Sequence, residues 1–238
     1  MIDYHYSYLV GTLIFGLAWI ACYVIGKRYR AQMLWGSVVA APFAITSVLF
    51  VPQYWSPPSL FDLDQRFRVG IEDFLWAAAV GGIASVVGEL LLKERLAKTR
   101  SRRPKRHYAP FIVMLVVFAA LELWHPSKTI YNTVAALAAC AIVVSFLRPD
   151  LIMLMFTGAG TFTVLYLLLF LYFLALYQHF IERFYNIPNL LGIYVLGVPI
   201  EELLFAASFG AVWSVAYEYL QGYRLRSIRP VRFVHTSA

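Results

Sequence analysis

The chain has 238 residues, of which 61% are apolar, 17% aromatic and only 14% charged, with a mean hydropathy of +0.69. So few charged residues cannot cover a soluble surface, which excludes an ordinary soluble domain and points to a bilayer, where each spanning helix takes roughly 20 mostly apolar residues. The net charge of +7 bears on topology rather than on nucleic acid, because in a membrane chain the placement of basic residues along the sequence is what carries information.

Apolar runs at 7–26, 33–51, 70–92, 109–124, 129–147, 151–178 and 191–220 predict seven spanning helices. Met1, Ile2 and Asp3 open the chain without the charged and apolar regions of a cleaved leader, so the first run is expected to remain as a span. The fourth run is the shortest and carries Glu122 near its end. With the N-terminus outside and the C-terminus cytoplasmic, seven crossings put 16 Lys and Arg on the inner side, among them the stretch 93–106, against 4 on the outer side, namely Arg66, Arg68, Lys128 and Arg183. If the fourth run failed to cross, the tally would fall to 13 against 7. The polybasic stretch therefore reads as a topology signal facing anionic headgroups, and no nucleic-acid partner is indicated. Cys22 and Cys140 both lie inside apolar runs, so neither a disulfide framework nor a thiolate metal site is expected.

The chain contains an internal repeat. GIEDFLWAAAVGGIASVVGEL in the third run is echoed by PIEELLFAASFGAVWSVAYEY in the seventh. Ile71, Glu72, Asp73, Gly81 and Glu89 match Ile200, Glu201, Glu202, Gly210 and Glu218 at a constant offset of 129. The predicted fold class is all-α integral membrane, with seven transmembrane helices as two parallel three-helix repeats joined by a linker helix. Residues 1–95 form the first repeat, 96–127 the basic loop and linker helix, and 128–238 the second repeat with a basic tail.

Carboxylates at membrane depth cost on the order of 2.5 to 3.5 kcal/mol each, so the adjacent pairs Glu72–Asp73 and Glu201–Glu202 need a reason to be there. Neighbours on a helix point about 100° apart, so one acid of each pair can face the bundle centre while the other faces a neighbouring helix or a backbone donor. Two like charges close together in a dry site cannot both stay ionised, which leaves a carboxylic acid holding its proton, the property of a general acid. The ordinary alternatives are helix capping or pairing with Arg66 and Arg68. Pro199, just before the second pair, suggests that a broken segment precedes it. Glu89 and Glu218 suit interfacial salt bridges.

Other chemistries lack their residues. His5, His107, His125, His179 and His235 show no metal-ligand spacing, although Glu122 and His125 are close enough to pair. The Gly158–Gly160 GAG lacks the rest of a dinucleotide fingerprint, Asp62 and Asp64 are too few for a magnesium-diphosphate site, and no lysine lies in the seventh run for a retinal Schiff base. No cofactor and no metal are expected. Tyr54 and Trp55 suit an interface belt or a substrate contact, and Phe74, Trp76, Phe205 and Trp213 lie near the acids or on the same helices. An aromatic face beside a proton donor stabilises a carbocation by roughly 2 kcal/mol or more when desolvated.

Pro199, Ile200, Glu201 and Glu202, their echo at Ile71, Glu72 and Asp73, and YWSPPSLF from Tyr54 to Phe61 resemble the lycopene cyclase domain family of small membrane enzymes. The resemblance covers nearly the whole chain and is to the fused form, with both units of the two-subunit cyclases in one polypeptide. One departure stands out: Gly70 occupies the first copy's proline position. The resemblance implies a lycopene β-cyclase type isomerase. Such an enzyme protonates the terminal double bond of a ψ end group, closes the ring through a tertiary cation and releases a ring proton, with no cofactor. It implies an acyclic C40 carotenoid entering laterally from lipid, Glu201 as donor, Glu202 as its partner, and Glu72 and Asp73 as the equivalent pair. Which half supplies the acid stays open. A carotenoid hydratase or a C50 carotenoid cyclase begins with the same protonation, and a proton-coupled transporter would also use duplicated units and buried acids.

Overall fold

The computed structural model describes residues 3–92, 96–100 and 108–227. Helix α1 (Ser7–Ile25) leads through a short 3-10 turn into α2 (Arg30–Ala40), which Pro42 tightens into the 3-10 stretch Ala41–Thr46 before α3 (Ser47–Phe50). A connection bearing α4 (Leu63–Phe67) precedes α5 (Ile71–Leu92), which is followed by strand β1 (Leu96–Arg100). Then come α6 (Ala109–Trp124), α7 (Thr129–Leu147), α8 (Ile152–Leu176), α9 (Phe180–Phe184), strands β2 (Tyr194–Val195) and β3 (Val198–Pro199), α10 (Ile200–Gln221) and strand β4 (Tyr223–Ser227).

The all-α membrane class stands. Among the described residues six helices are long and apolar enough to cross a bilayer: Ser7–Ile25, Lys27–Phe50, Ile71–Leu92, Thr129–Leu147, Pro149–Leu176 and Ile200–Gln221. Helix α6 has only 16 residues, about 24 Å at 1.5 Å per residue, against a hydrocarbon core of about 30 Å. It is held to α7 at one end by Glu122, which accepts from the Thr129 hydroxyl (2.8 Å) and the Asn132 amide (2.7 Å). These two groups, rather than the His125 ring, are the partners of Glu122. The sequence showed neither of two small antiparallel ribbons: β1 pairs with β4, and β2 with β3. The remaining basic residues of the 93–106 stretch, and Arg229 and Arg232, lie outside the described residues.

The last apolar run does not become helical at residue 191. Leu196 and Gly197 both take positive φ (53° and 86°), the backbone of a tight hairpin turn. Tyr194 then lies opposite Pro199 and Val195 opposite Val198. Helix α10 begins only after Pro199, which lacks an N–H but needs none at a helix entrance. The interruption therefore sets the acid pair in the first turn of the helix rather than ten residues inside it.

Helices α5 and α10 are the most enclosed of the spans, and small residues set how closely their neighbours approach. A side-chain carbon built on Gly81 would stand 2.2 Å from Ala40 Cβ, and one on Gly36 would stand 2.6 Å from Ser85 Oγ. The same device recurs between α8 and α10. A carbon on Gly158 would lie 2.3 Å from Ser214 Oγ, and one on Gly210 would lie 2.9 Å from Phe162 Cβ. Ser85 and Ser214 are again 129 residues apart. Lipid tails are as apolar as leucine, so membrane helices associate through such close backbone contacts rather than through the hydrophobic effect.

This packing gives a matched test. Gly158→Ala forces a shift between α8 and α10, an overpacking cost of about 1–3 kcal/mol. Gly160→Ala, two residues along the same helix, meets open space. Thermal unfolding in detergent micelles is expected to show a lower melting temperature for the first variant and not for the second. Equal melting would remove the close-contact account.

Candidate active site

The four acids of the two pairs are buried, with relative exposures of 0% (Glu72), 5% (Asp73), 1% (Glu201) and 6% (Glu202). Each pair occupies the first turn of its helix, where free N–H groups and the macrodipole favour negative charge. The 100° step between neighbours then sends the two members of a pair in different directions.

The first member ties the preceding loop to the helix start. Glu72 Oε1 accepts the Leu60 N–H at 2.6 Å, and Glu201 Oε1 accepts the Leu191 N–H at 2.6 Å and the Tyr131 hydroxyl at 2.6 Å. The second member turns inward. Asp73 Oδ1 accepts hydroxyls from Tyr8 (2.7 Å) and Ser47 (3.0 Å), and its Oδ2 accepts the Gly70 N–H (2.7 Å). Glu202 Oε1 accepts Tyr54 (2.9 Å) and Tyr185 (2.8 Å), and its Oε2 accepts Tyr166 (2.6 Å). Burial, and then the Glu202 charge, push the Tyr54 and Tyr185 hydroxyls well above their ordinary range, so both stay donors. Among the described residues neither Arg66 nor Arg68 forms an ion pair with these acids.

Asp73 and Glu202 line one apolar cavity of about 270 Å³, whereas Glu72 and Glu201 do not reach it. Its wall draws on every described span and on α6. Of the aromatic residues singled out in the sequence, Tyr54, Trp55, Trp76, Phe205 and Trp213 line this cavity. Phe74 does not, and is 39% exposed. Trp76 stacks on Phe205 (ring centroids 6.1 Å apart), Phe205 on Phe209 (5.4 Å), and Phe209 on Trp213 (4.8 Å). The α10 members recur every four residues, so their faces form one continuous ladder running away from the acids along a single stripe of the helix.

Sequence reasoning missed Tyr8, Ser47, Tyr166, Tyr185 and Phe209. Hydroxyls inside apolar runs are a signal of sorts, but with 16 tyrosines in the chain nothing singled out those that converge on a carboxylate. Asp64 was also passed over. It is 1% exposed, and neither of its carboxyl oxygens has a hydrogen-bond partner. Burial, followed by the adjacent Asp73 and Glu72, pushes it up to about 8. No set of three or more His, Cys, Asp or Glu among the described residues is arranged to hold a metal ion.

The loop-tying role of Glu201 gives a stability prediction. Glu201→Ala takes the acceptor from the Leu191 N–H and leaves the Tyr131 hydroxyl only Asn189 O at 3.2 Å, at about 1 kcal/mol per hydrogen bond lost. Glu201→Gln keeps an oxygen that accepts both. Melting in micelles is expected to fall clearly for the alanine variant and less for the glutamine variant; the reverse order would contradict this geometry.

No curated protein and no solved structure matches the chain. Residues 128–220, from the start of α7 almost to the end of α10 and including the Glu201–Glu202 pair, match the family model described as Lycopene cyclase, the family that the sequence resembles.

Proposed function

We propose that the chain is a lycopene cyclase of the β type that converts ψ end groups to rings by proton-initiated, redox-neutral cyclisation inside the membrane. The lycopene cyclase domain supports an enzyme that cyclises carotenoids. The finer reading rests on one observation: two carboxyls, Asp73 and Glu202, open onto the same apolar, aromatic-walled cavity. One holds a proton and gives it to the terminal double bond of the end group. The resulting tertiary cation is attacked by the chain's own double bond, closing the ring. The other carboxyl, ionised, takes the adjacent ring proton. One proton is added and one removed, so product and substrate are isomers and no oxidant or reductant enters.

The surroundings suit each step. Walls with few polar groups keep water from trapping the cation, and the faces of Trp76 and Phe205 offer it a cation–π contact. A conjugated polyene is flat and long, and the ladder from Trp76 to Trp213 is a surface of matching shape. A cavity of about 270 Å³ lies below the usual range of about 300–1,000 Å³ for enclosed small-molecule sites, so it takes one end of the carotenoid while the rest extends toward lipid. We read the N-terminus as outside and the short α6 as a seventh crossing, a topology that puts both acid pairs at the outer ends of their helices. Glu72 and Glu201 then serve to hold the helix starts, and Asp73 and Glu202 meet the substrate.

Expression in cells that accumulate lycopene, followed by pigment chromatography and mass spectrometry, tests the reading. Ring products of unchanged mass are expected, with one solvent deuterium retained per ring in heavy water. A product heavier by one water would make the protein a hydratase, and unchanged lycopene beside folded, membrane-inserted protein would reject the proposal. Asp73→Asn and Glu202→Gln are each expected to lower ring formation by about 10² or more, the usual contribution of a positioned acid or base.

A further inference from the structure

Asp64 belongs to the short helix α4, in the connection before α5. It is fully enclosed, with a carboxyl that receives no donor. Its backbone N–H is held by the Ser59 hydroxyl at 2.8 Å, which fixes the residue in place, and its carboxyl lies against Gly70, the residue whose N–H Asp73 Oδ2 accepts at 2.7 Å. A carbon built on Gly70 would stand 2.9 Å from Asp64 Oδ1 and 3.0 Å from Glu72 Oε2. Three carboxyls thus crowd one glycine beside the Tyr8 hydroxyl, and among the described residues none of them forms an ion pair.

The donor balance differs between the halves. Around α10, two carboxyls share five donors: three hydroxyls on Glu202, and a hydroxyl and an N–H on Glu201. Around α5, three carboxyls share four: three on Asp73, one on Glu72 and none on Asp64. At the matching position before α10, 129 residues on, the chain has Ile193 in place of an acid. Three enclosed carboxylates without a counter-ion cannot all be charged, so a proton resides in the first half, and Asp64, which lacks any donor, has the greatest need of it.

We propose that Asp64 and Asp73 hold one proton between them, that Asp73 delivers it to the polyene end group, and that Asp64 is the positioning residue that keeps it available. This rests on the cyclase reading and assigns its roles, with the acid from the first repeat and the base, Glu202, from the second. In the step itself the Asp73 O–H bond breaks as a C–H bond forms on the terminal alkene carbon. The C–C bond of the ring closes, and the ring proton passes to Glu202. Between turnovers the ring proton leaves Glu202 for water and a proton returns from water to the Asp64–Asp73 pair, so each carboxyl ends the cycle in the state in which it began. The upward displacement of Asp64 to about 8 fits a pair still loaded at neutral pH. Activity then declines as the pH rises through that value.

The test uses the full-length protein in lipid nanodiscs. Infrared spectra across pH are expected to show a protonated-carboxyl band in the wild type that is lost near pH 8. In Asp64→Asn, Asp73 has lost its like-charged neighbour, so the band and the decline in cyclisation rate are both expected to move down by about one pH unit or more, the scale of coupling between interacting carboxyls. Asp64→Glu keeps the carboxyl and is expected to retain the wild-type profile. A purely structural Asp64 would lower the rate at every pH without moving the profile, and that result overturns the proposal. Should Asp64→Asn fail to fold, the wild-type spectrum still decides, because absence of a carboxyl band titrating near neutral pH also overturns it. The two readings fail separately. A moving band in a protein that makes no rings leaves the pair standing and removes the cyclase, whereas rings made with an unmoved profile do the opposite.

Discussion

A carboxylate enclosed by membrane helices has no water to hydrogen-bond, and the protein must supply every donor that the solvent would have supplied. Around α5 and α10 that demand organises the local structure. Each helix begins at its acid pair, so the N-terminal dipole lies under the charge, and the 100° step gives the pair two separate donor sets. Leu60 and Leu191 supply backbone N–H groups from the loop side. Tyr8, Ser47, Tyr54, Tyr166 and Tyr185 supply hydroxyls from α1, α3, the loop after it, α8 and the segment after α9. Hydrogen bonds to a charged group contribute roughly 1.5–3 kcal/mol each, so three of them offset an insertion cost of about 2.5–3.5 kcal/mol. The acids thus draw distant elements together at one end of the bundle and fix where the cavity lies.

Close helix contact is the second requirement, because Ser47, in the continuation of α2, and Tyr166 on α8 reach Asp73 and Glu202 only if these helices lie near α5 and α10. Gly36 against Gly81 and Ser85, and Gly158 against Gly210 and Ser214, provide that approach. Ala40 and Trp213, which Gly81 lets close on α5, are themselves part of the cavity wall, so the small-residue contacts border the same space that Asp73 and Glu202 face.

Much of this was legible in the sequence. The apolar runs located the long helices to within a few residues, because a 20-residue apolar stretch has few other uses. The 129-residue echo singled out the acid pairs without any knowledge of contacts. The start of α10 was misread by nine residues, since Tyr194, Val195 and Val198 are as apolar as a span and only the positive φ of Leu196 and Gly197 makes them a hairpin. Which acid of each pair turns inward was not legible either. Glu201, the residue favoured as donor from the motif, is the one turned toward the loop. Its direction depends on where Leu191 and Tyr131 lie, and those positions are settled by folding across 10 and 70 residues of chain.

The departure of the first motif from the second acquires a physical cause once Asp64 is taken into account. Proline at position 70 would bring a Cβ to 2.9 Å from Asp64 Oδ1 and 3.0 Å from Glu72 Oε2, and would remove the N–H that Asp73 Oδ2 accepts. Glycine is the residue that leaves room for a third carboxyl and still donates. In the second half Pro199 shapes the hairpin and the helix entrance, and Glu202 relies instead on tyrosines from three separate segments. Two copies of one helix thus present carboxyls to a common cavity with different complements of donors.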